Sequence, residues 1–241
     1  MRYAIVSDIH SNIEALEGAF AMLDADVQVL CLGDIVGYGP NPNECVARIR
    51  ERATATVLGN HDVAAIDDFG LAYFNPAARE AMVWTQQVLT AENLAWLNSL
   101  GYEHRLPELL LVHGAPHEYF EYILDKPAAL RAFGATDAPV IFVGHTHIAE
   151  VYTLAADGAL THRHLQQGGD VALEAGHRYL INVGSIGQPR DLNPRASFAI
   201  YDTVEQRVSI VRFPYPIESV REKIALAHLP DALGRRLLVG R

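Results

Sequence analysis

Tyr3-Ala4-Ile5-Val6-Ser7-Asp8-Ile9-His10 is the stretch on which the fold turns. Residues 3–6 are apolar at successive positions, which suits a strand buried on both faces rather than a half-exposed one. The run then stops on Ser7, Asp8 and His10, side chains that bind ligands rather than fill cores. The pattern repeats. The run 27–32 is followed by Gly33-Asp34, 56–58 by Gly59-Asn60-His61-Asp62, 109–112 by His113-Gly114, and 140–143 by Gly144-His145-Thr146-His147. In α/β sheets the carboxyl ends of the strands open onto one crevice, where ligands bind. Five buried runs ending in Asp, Asn or His should therefore bring those residues together, although they lie far apart in sequence.

Working outward, residues 12–23 carry Ile13, Leu16, Phe20 and Leu23 near helical spacing, and residues 43–52 follow a Pro-rich turn. Both are predicted helices. Strand–helix–strand order implies right-handed crossovers with helices packed outside a sheet. Residues 63–100 read as helical without a strand, with helices at 77–89 and 92–97. They are expected to form a cap inserted into the α/β core. A sixth apolar run occupies 180–183. From residue 151 the pattern changes to segments 151–154, 160–165, 197–201 and 208–213, with turns at Asp157-Gly158 and Glu205-Gln206. The tail 217–238 is helical and broken at Pro230. The expected fold is one α/β domain over residues 1–241, a sandwich of two sheets covered by helices.

The 241 residues are 50% hydrophobic and 20% charged, enough to fill a sizeable core. Nineteen basic against 29 acidic side chains give a formal charge of −10. That balance argues against a nucleic-acid partner and against an anionic membrane surface. A small anionic substrate stays open, because a bound metal inverts the local field. Cys31 sits in an apolar run and Cys45 in a predicted helix, so neither a disulfide scaffold nor a Cys-type zinc site is expected. A strand starts almost at once, without a basic-then-apolar leader, and no apolar run reaches ~18 residues. A soluble cytoplasmic protein is the expectation.

Imidazole, carboxylate and amide oxygen are intermediate-to-hard ligands. They suit manganese, iron, zinc or nickel better than copper(I) or an iron–sulfur cluster. Asp8 and His10 are two apart, so an extended segment points both to one side, and His145 and His147 repeat that spacing. The adjacent glycines allow close backbone approach and sharp turns. The ligands are too many for one tetrahedral ion and about enough for two ions sharing a bridge.

Taken together, Asp8-x-His10, Gly33-Asp34, Gly59-Asn60-His61-Asp62, His113 and Gly144-His145-Thr146-His147 resemble the full motif set of the calcineurin-like metallophosphoesterases. Ser7-Asp8-Ile9-His10-Ser11-Asn12 and Asn182-Val183-Gly184-Ser185-Ile186-Gly187-Gln188-Pro189 are similar to its small prokaryotic phosphodiesterase branch. The resemblance covers residues 1–200 and fills every metal-ligand position. It implies a four-layer α/β/β/α sandwich with two mixed sheets flanked by helices. It also implies roles: Asp8, His10 and His147 hold one metal, Asn60, His113 and His145 the other, and Asp34 bridges both. His61 is then the catalytic histidine, oriented by Asp62. The implied cofactors are two divalent transition-metal ions, manganese foremost, with iron, zinc, nickel or cobalt as alternatives. The implied reaction is in-line attack on a small, nucleotide-like phosphodiester or phosphomonoester by a hydroxide held between metals ~3.5–4 Å apart.

Several residues admit a plainer use. Asp62 equally suits the cap of a helix beginning near Val63. Ser185 and Arg190 could contact substrate phosphate, or belong to a tight turn with Arg190 paired to Asp191. The run from Gly37 to Pro42 could line the mouth of the site or form a rigid turn. Phe69, Tyr73, Phe74 and the segment 119–122 could stack a nucleobase or pack a core. His117 is a candidate neighbour of the ligands, whereas His162 and His164 suit a solvated or structural strand position. A chain of this fold could also be a non-catalytic interaction scaffold, but such a chain should lack ligands that this one retains.

Overall fold

The computed structural model describes residues 1–241. The chain opens with β1 (Arg2–Val6), α1 (Ile13–Phe20), β2 (Gln28–Cys31), α2 (Pro42–Arg52) and β3 (Ala53–Thr56). A helical stretch follows: α3 (Asn60–Asp67), a 3-10 turn at Leu71–Tyr73, α4 (Pro76–Val88) and α5 (Ala91–Leu97). Next come β4 (Glu103–Leu106), β5 (Leu109–Val112), α6 (Lys126–Gly134), β6 (Val140–Val143), β7 (Ala149–Leu154) and β8 (Leu160–His164). The chain closes with β9 (Gly169–Ala172), β10 (Arg178–Val183), β11 (Ala196–Asp202), β12 (Arg207–Phe213), α7 (Ile217–Leu226) and α8 (Asp231–Leu237).

The strands form two six-stranded sheets, ordered β3-β2-β1-β11-β12-β9 and β4-β5-β6-β10-β7-β8. Both are mixed. β1, β2 and β3 are parallel, with β11, β12 and β9 added antiparallel. In the second sheet β5, β6 and β10 are parallel, and β4, β7 and β8 complete the edges antiparallel.

Side-chain alternation explains why the central runs are apolar throughout. Ala4 and Val6 of β1 pack under the helices, while Ile5 points into the space between the sheets. In β6, Val140 and Phe142 face the other sheet, and Ile141 and Val143 face Ala129 and Phe133 of α6. The layers are therefore helices, sheet, sheet and helix. Ile5, Leu30 and Phe142 are buried between the sheets, each worth about 1.5–3 kcal/mol relative to exposure. That burial holds the ligand-bearing strand ends against one another.

The helices of residues 60–97 pack in the outer layer of the first sheet. Ala64, Ala81, Met82 and Leu97 share one core with α1 and α2. The third strand lies at 53–56, not at 56–58, because Val57 makes only an isolated bridge to Gly101 before the chain turns into α3. β4, β9 and α6 were not predicted. β4 and β9 are edge strands with mostly exposed, polar faces, and α6 buries chiefly alanines.

Candidate metal centre and adjoining pocket

The loops that end β1, β2, β6 and β10 are laced together by backbone hydrogen bonds. The N–H groups of Asp8 and His10 donate to the carbonyls of Gly33 and Asp34, at 3.0 and 2.9 Å. Those of Ile186 and Gly187 donate to Ser7 and Asp8, at 3.0 and 2.9 Å, and Arg190 donates to His147 at 3.2 Å. Asp8, His10, Asp34, His145 and His147 all have left-handed backbone, with φ of 53, 48, 51, 66 and 61°. Non-glycine residues visit this region rarely, at a cost of order 1–3 kcal/mol each, and clusters of them mark functional sites. Two glycines permit the crowding. A Cβ on Gly59 would lie 2.1 Å from Asp34 Oδ1, and one on Gly144 would lie 2.5 Å from Asp8 Oδ2.

These loops assemble two buried groups of ligands. Asp8, His10, Asp34 and His147 form one, and Asp34, His113 and His145 the other, with donor atoms in each within 4.8 Å of one another. Asp34 belongs to both. Its Oδ1 accepts the His61 N–H at 2.8 Å, leaving Oδ2 facing His113 Nε2 at 3.3 Å and His10 Nε2 at 3.6 Å. Asp8 Oδ1 lies 3.1 Å from His147 Nε2.

The outer nitrogens of the four histidines fix their tautomers. His10 Nδ1 faces the Val36 carbonyl at 3.0 Å, His113 Nδ1 that of Leu32 at 2.8 Å, His145 Nε2 that of Phe120 at 2.9 Å, and His147 Nδ1 that of Gln188 at 2.6 Å. A carbonyl only accepts, so each outer nitrogen carries the proton and each inner nitrogen of a neutral ring presents a lone pair. Two such lone pairs face each other at 3.2 Å between His10 and His147, and the inner nitrogens of His113 and His145 face each other at 3.1 Å. Lone pairs at that distance repel unless a proton or cation lies between them. Buried Asp8 Oδ1 and Asn60 Oδ1 also lack any hydrogen-bond partner. This donor set fits divalent cations, with second nitrogens anchored as metal-binding histidines usually are.

Charge follows the same geometry. Burial pushes His145 down to about 3 and His61 down to about 4, so both rings are neutral at pH 7. Burial also acts to lower His113, but the charge and hydrogen bond of Asp34 outweigh it and raise the ring to about 9. Burial would raise the Asp8 and Asp34 carboxyls, yet His147 and His113 respectively hold them below the ordinary range. Burial, then the charge of Asp34, raises Asp62 to about 7.

The remaining expected residues divide. Asp62 makes no hydrogen bond to His61. Its carboxylate accepts from the N–H groups of Ile35, Val36 and Gly59, at 2.9, 3.2 and 3.1 Å, which caps α3 and fixes the loop carrying Asp34. That helix starts at Asn60 rather than near Val63. Ser185 does not face the pocket, contrary to the substrate-contact reading. It is fully buried, donates to the Asp8 carbonyl at 2.8 Å and accepts from Gln188 N–H at 2.8 Å. Arg190 is free of Asp191, which pairs with Arg212 instead. His117 pairs with Glu121, in the loop whose Phe120 carbonyl anchors His145. His162 and His164 lie against buried Glu150 on the second sheet, at 2.8 and 3.4 Å.

Beside the centre opens a cavity of about 380 Å³, lined by Asn60, His61 and His145 and walled by aromatic rings. Phe69, Tyr73 and Tyr122 are exposed, so they pack no core, and Tyr122 stacks on His145 with centroids 3.7 Å apart. Tyr38 packs against His61 at 4.5 Å. Arg236 also lines the cavity. Sequence reading missed it, because an Arg in a helical tail carries no signal of what it faces.

A sequence model of the calcineurin-like phosphoesterase superfamily domain matches residues 1–206, and the chain belongs to that family. It is 39% identical over 247 residues to an uncharacterized protein of Methanocaldococcus jannaschii, covering 99% of this chain and 98% of that one. The crystal structure of a metallophosphoesterase from Sphaerobacter thermophilus superimposes with a TM-score of 0.89 at 40% identity, over 100% of both chains. A hypothetical protein from Pyrococcus horikoshii OT3 shares the fold at 17% identity, with a TM-score of 0.77 over 100% of this chain and 98% of that one.

Proposed function

We propose that the chain hydrolyses small, nucleotide-like phosphate esters with the help of two divalent cations, manganese foremost. The observation that carries this reading is Asp34, whose carboxylate is common to two buried groups of imidazole nitrogens. Asp8, His10 and His147 with Asp34 would hold one ion, and Asn60, His113 and His145 with Asp34 the other. When bound, such ions supply Lewis acidity at phosphoryl oxygens and make water acidic enough to attack near neutral pH.

The chain's own residues do the rest. His61, neutral at pH 7 and wedged among His10, Tyr38 and Phe74, offers a ring N–H to the phosphoryl or leaving oxygen. Arg190 at the cavity wall offers a forked donor to the phosphate. Phe69, Tyr73 and Tyr122 provide open faces for a planar base. Residues 63–100 act as the cap of this site, since Phe69, Phe74 and Ala78 form one of its walls. No helix is long and apolar enough to cross a membrane. The free, buried thiols of Cys31 and Cys45 suit the cytoplasm.

Protein stripped of metal and reloaded with manganese is expected to cleave bis(4-nitrophenyl) phosphate or 4-nitrophenyl phosphate. Absence of turnover on both with manganese, nickel, cobalt, iron and zinc in turn would overturn the proposal.

A further inference from the structure

Two arginines reach the cavity from separate elements, Arg190 after β10 and Arg236 in α8. Their guanidinium carbons lie 5.7 and 5.8 Å from the centre of the same Tyr38 ring. Buried Leu233 and Leu237, one helical turn apart, seat α8 in the core and set the direction of Arg236. Neither guanidinium is spent on a side-chain carboxylate. Arg190 donates to Gln188 Oε1 at 2.9 Å and to the Tyr38 hydroxyl at 3.3 Å, while Arg236 Nε donates to a backbone oxygen of Arg241, the last residue, and leaves its two terminal nitrogens without a carboxylate partner. No aspartate or glutamate side chain pairs with either arginine, and the backbone oxygen of Arg241 meets only Arg236 Nε. Burial and then the charge of Arg190 hold Arg236 below its ordinary value. Half-buried like charges at a cavity wall are costly unless an anion completes them.

We propose that Arg236 and Arg190 form a second anion subsite beside the metal centre, for substrates that carry a further phosphate besides the ester that is cleaved. The proposal rests on the phosphoesterase reading and narrows its substrate class. Arg190 can serve the ester phosphate alone, but a second forked donor beside the same Tyr38 ring has nothing to bind in a simple monoester. Arg236 lies in α8, beyond the matched segment 1–206, whereas Arg190 lies within it.

Equilibrium binding separates this idea from turnover. Metal-loaded His61→Ala protein, in which hydrolysis is slowed, is titrated with AMP, ADP and adenosine 3′,5′-bisphosphate. ADP offers a neighbouring phosphate and the 3′,5′-bisphosphate a distant one, so the two distinguish an anhydride from a second ester. At least one is expected to bind about tenfold tighter than AMP, a difference of about 1.4 kcal/mol. Adding Arg236→Ala is expected to bring that ratio to about one, and Arg236→Lys to an intermediate value because the fork is lost but the charge remains. Ratios below two for both ligands, or a ratio that survives Arg236→Ala in protein with an unchanged melting temperature, would overturn the proposal. Failure of the aryl-ester assay would instead remove the phosphoesterase reading, and the binding ratio does not depend on it.

Discussion

On the proposed function, removal of His61 is expected to separate chemistry from metal binding. Its ring lies 4.8 Å from that of His10 and 4.4 Å from that of Phe74, and its Nδ1 has no protein partner. His61→Ala is expected to lower kcat by about 10²–10⁴-fold. Bound metal, counted by atomic absorption, should not change; loss of metal together with activity would make His61 a structural residue. Asp34 raises His113 to about 9, so metal-free protein carries a proton where a cation should sit. Metal uptake must expel that proton, and manganese affinity is expected to fall as pH drops from 9 to 6, by up to about tenfold per unit. An affinity flat across that range would contradict it. At this scale the sequence was most readable where chemistry and position coincided. Asp8, His10, Asp34, His113, His145 and His147 each follow a buried run, and strand ends converge. Asp62, Ser185 and Arg236 were not readable, because what each touches depends on loops and a helix distant in the chain.

At the scale of elements, the site depends on how loops are fastened. Asp62 ties α3 to the loop after β2 through three backbone N–H groups. Asp62→Ala would leave those buried donors unmet and is expected to cost about 2–4 kcal/mol in urea unfolding, with Asp62→Asn costing less because it keeps an acceptor. Equal stability of both variants with the parent would show that water replaces the carboxylate. Glu150, on β7, makes a second test. Burial raises it from 4.5 to about 7, partly offset by His164 on β8. The fold thus prefers the protonated carboxyl, and the stability this group contributes is full below pH 4.5 and is lost as pH rises to about 7. Glu150→Gln should match the parent near pH 4.5 and exceed it by about 1–2 kcal/mol at pH 8 in urea unfolding. Central strands were legible because burial on two faces writes continuous apolar runs. β4, β9 and α6 were not, since edge strands alternate with polar residues and an alanine-lined helix face has little periodic contrast.

Across the whole molecule, loops at the strand ends of two sheets gather six buried histidine and aspartate side chains, while a chain of net charge −10 places two arginines, Arg190 and Arg236, at the cavity beside them. The two-sheet sandwich was expected from the switch of pattern at residue 151. Pocket shape was not, because its walls come from residues 69–78, 120–122, 190 and 236, which only the packed fold brings together. Cations that bind only the native state should also stabilise it. At a free metal concentration about 100 times Kd the gain is about 2.7 kcal/mol, so chelation is expected to lower Tm by several degrees. The central claim is tested most directly by adding manganese stepwise to metal-free protein while following bis(4-nitrophenyl) phosphate hydrolysis and bound metal in the same samples. Turnover is expected to rise mainly as the second ion binds per chain. Full turnover with one ion bound, or hydrolysis that persists without metal, would contradict the account.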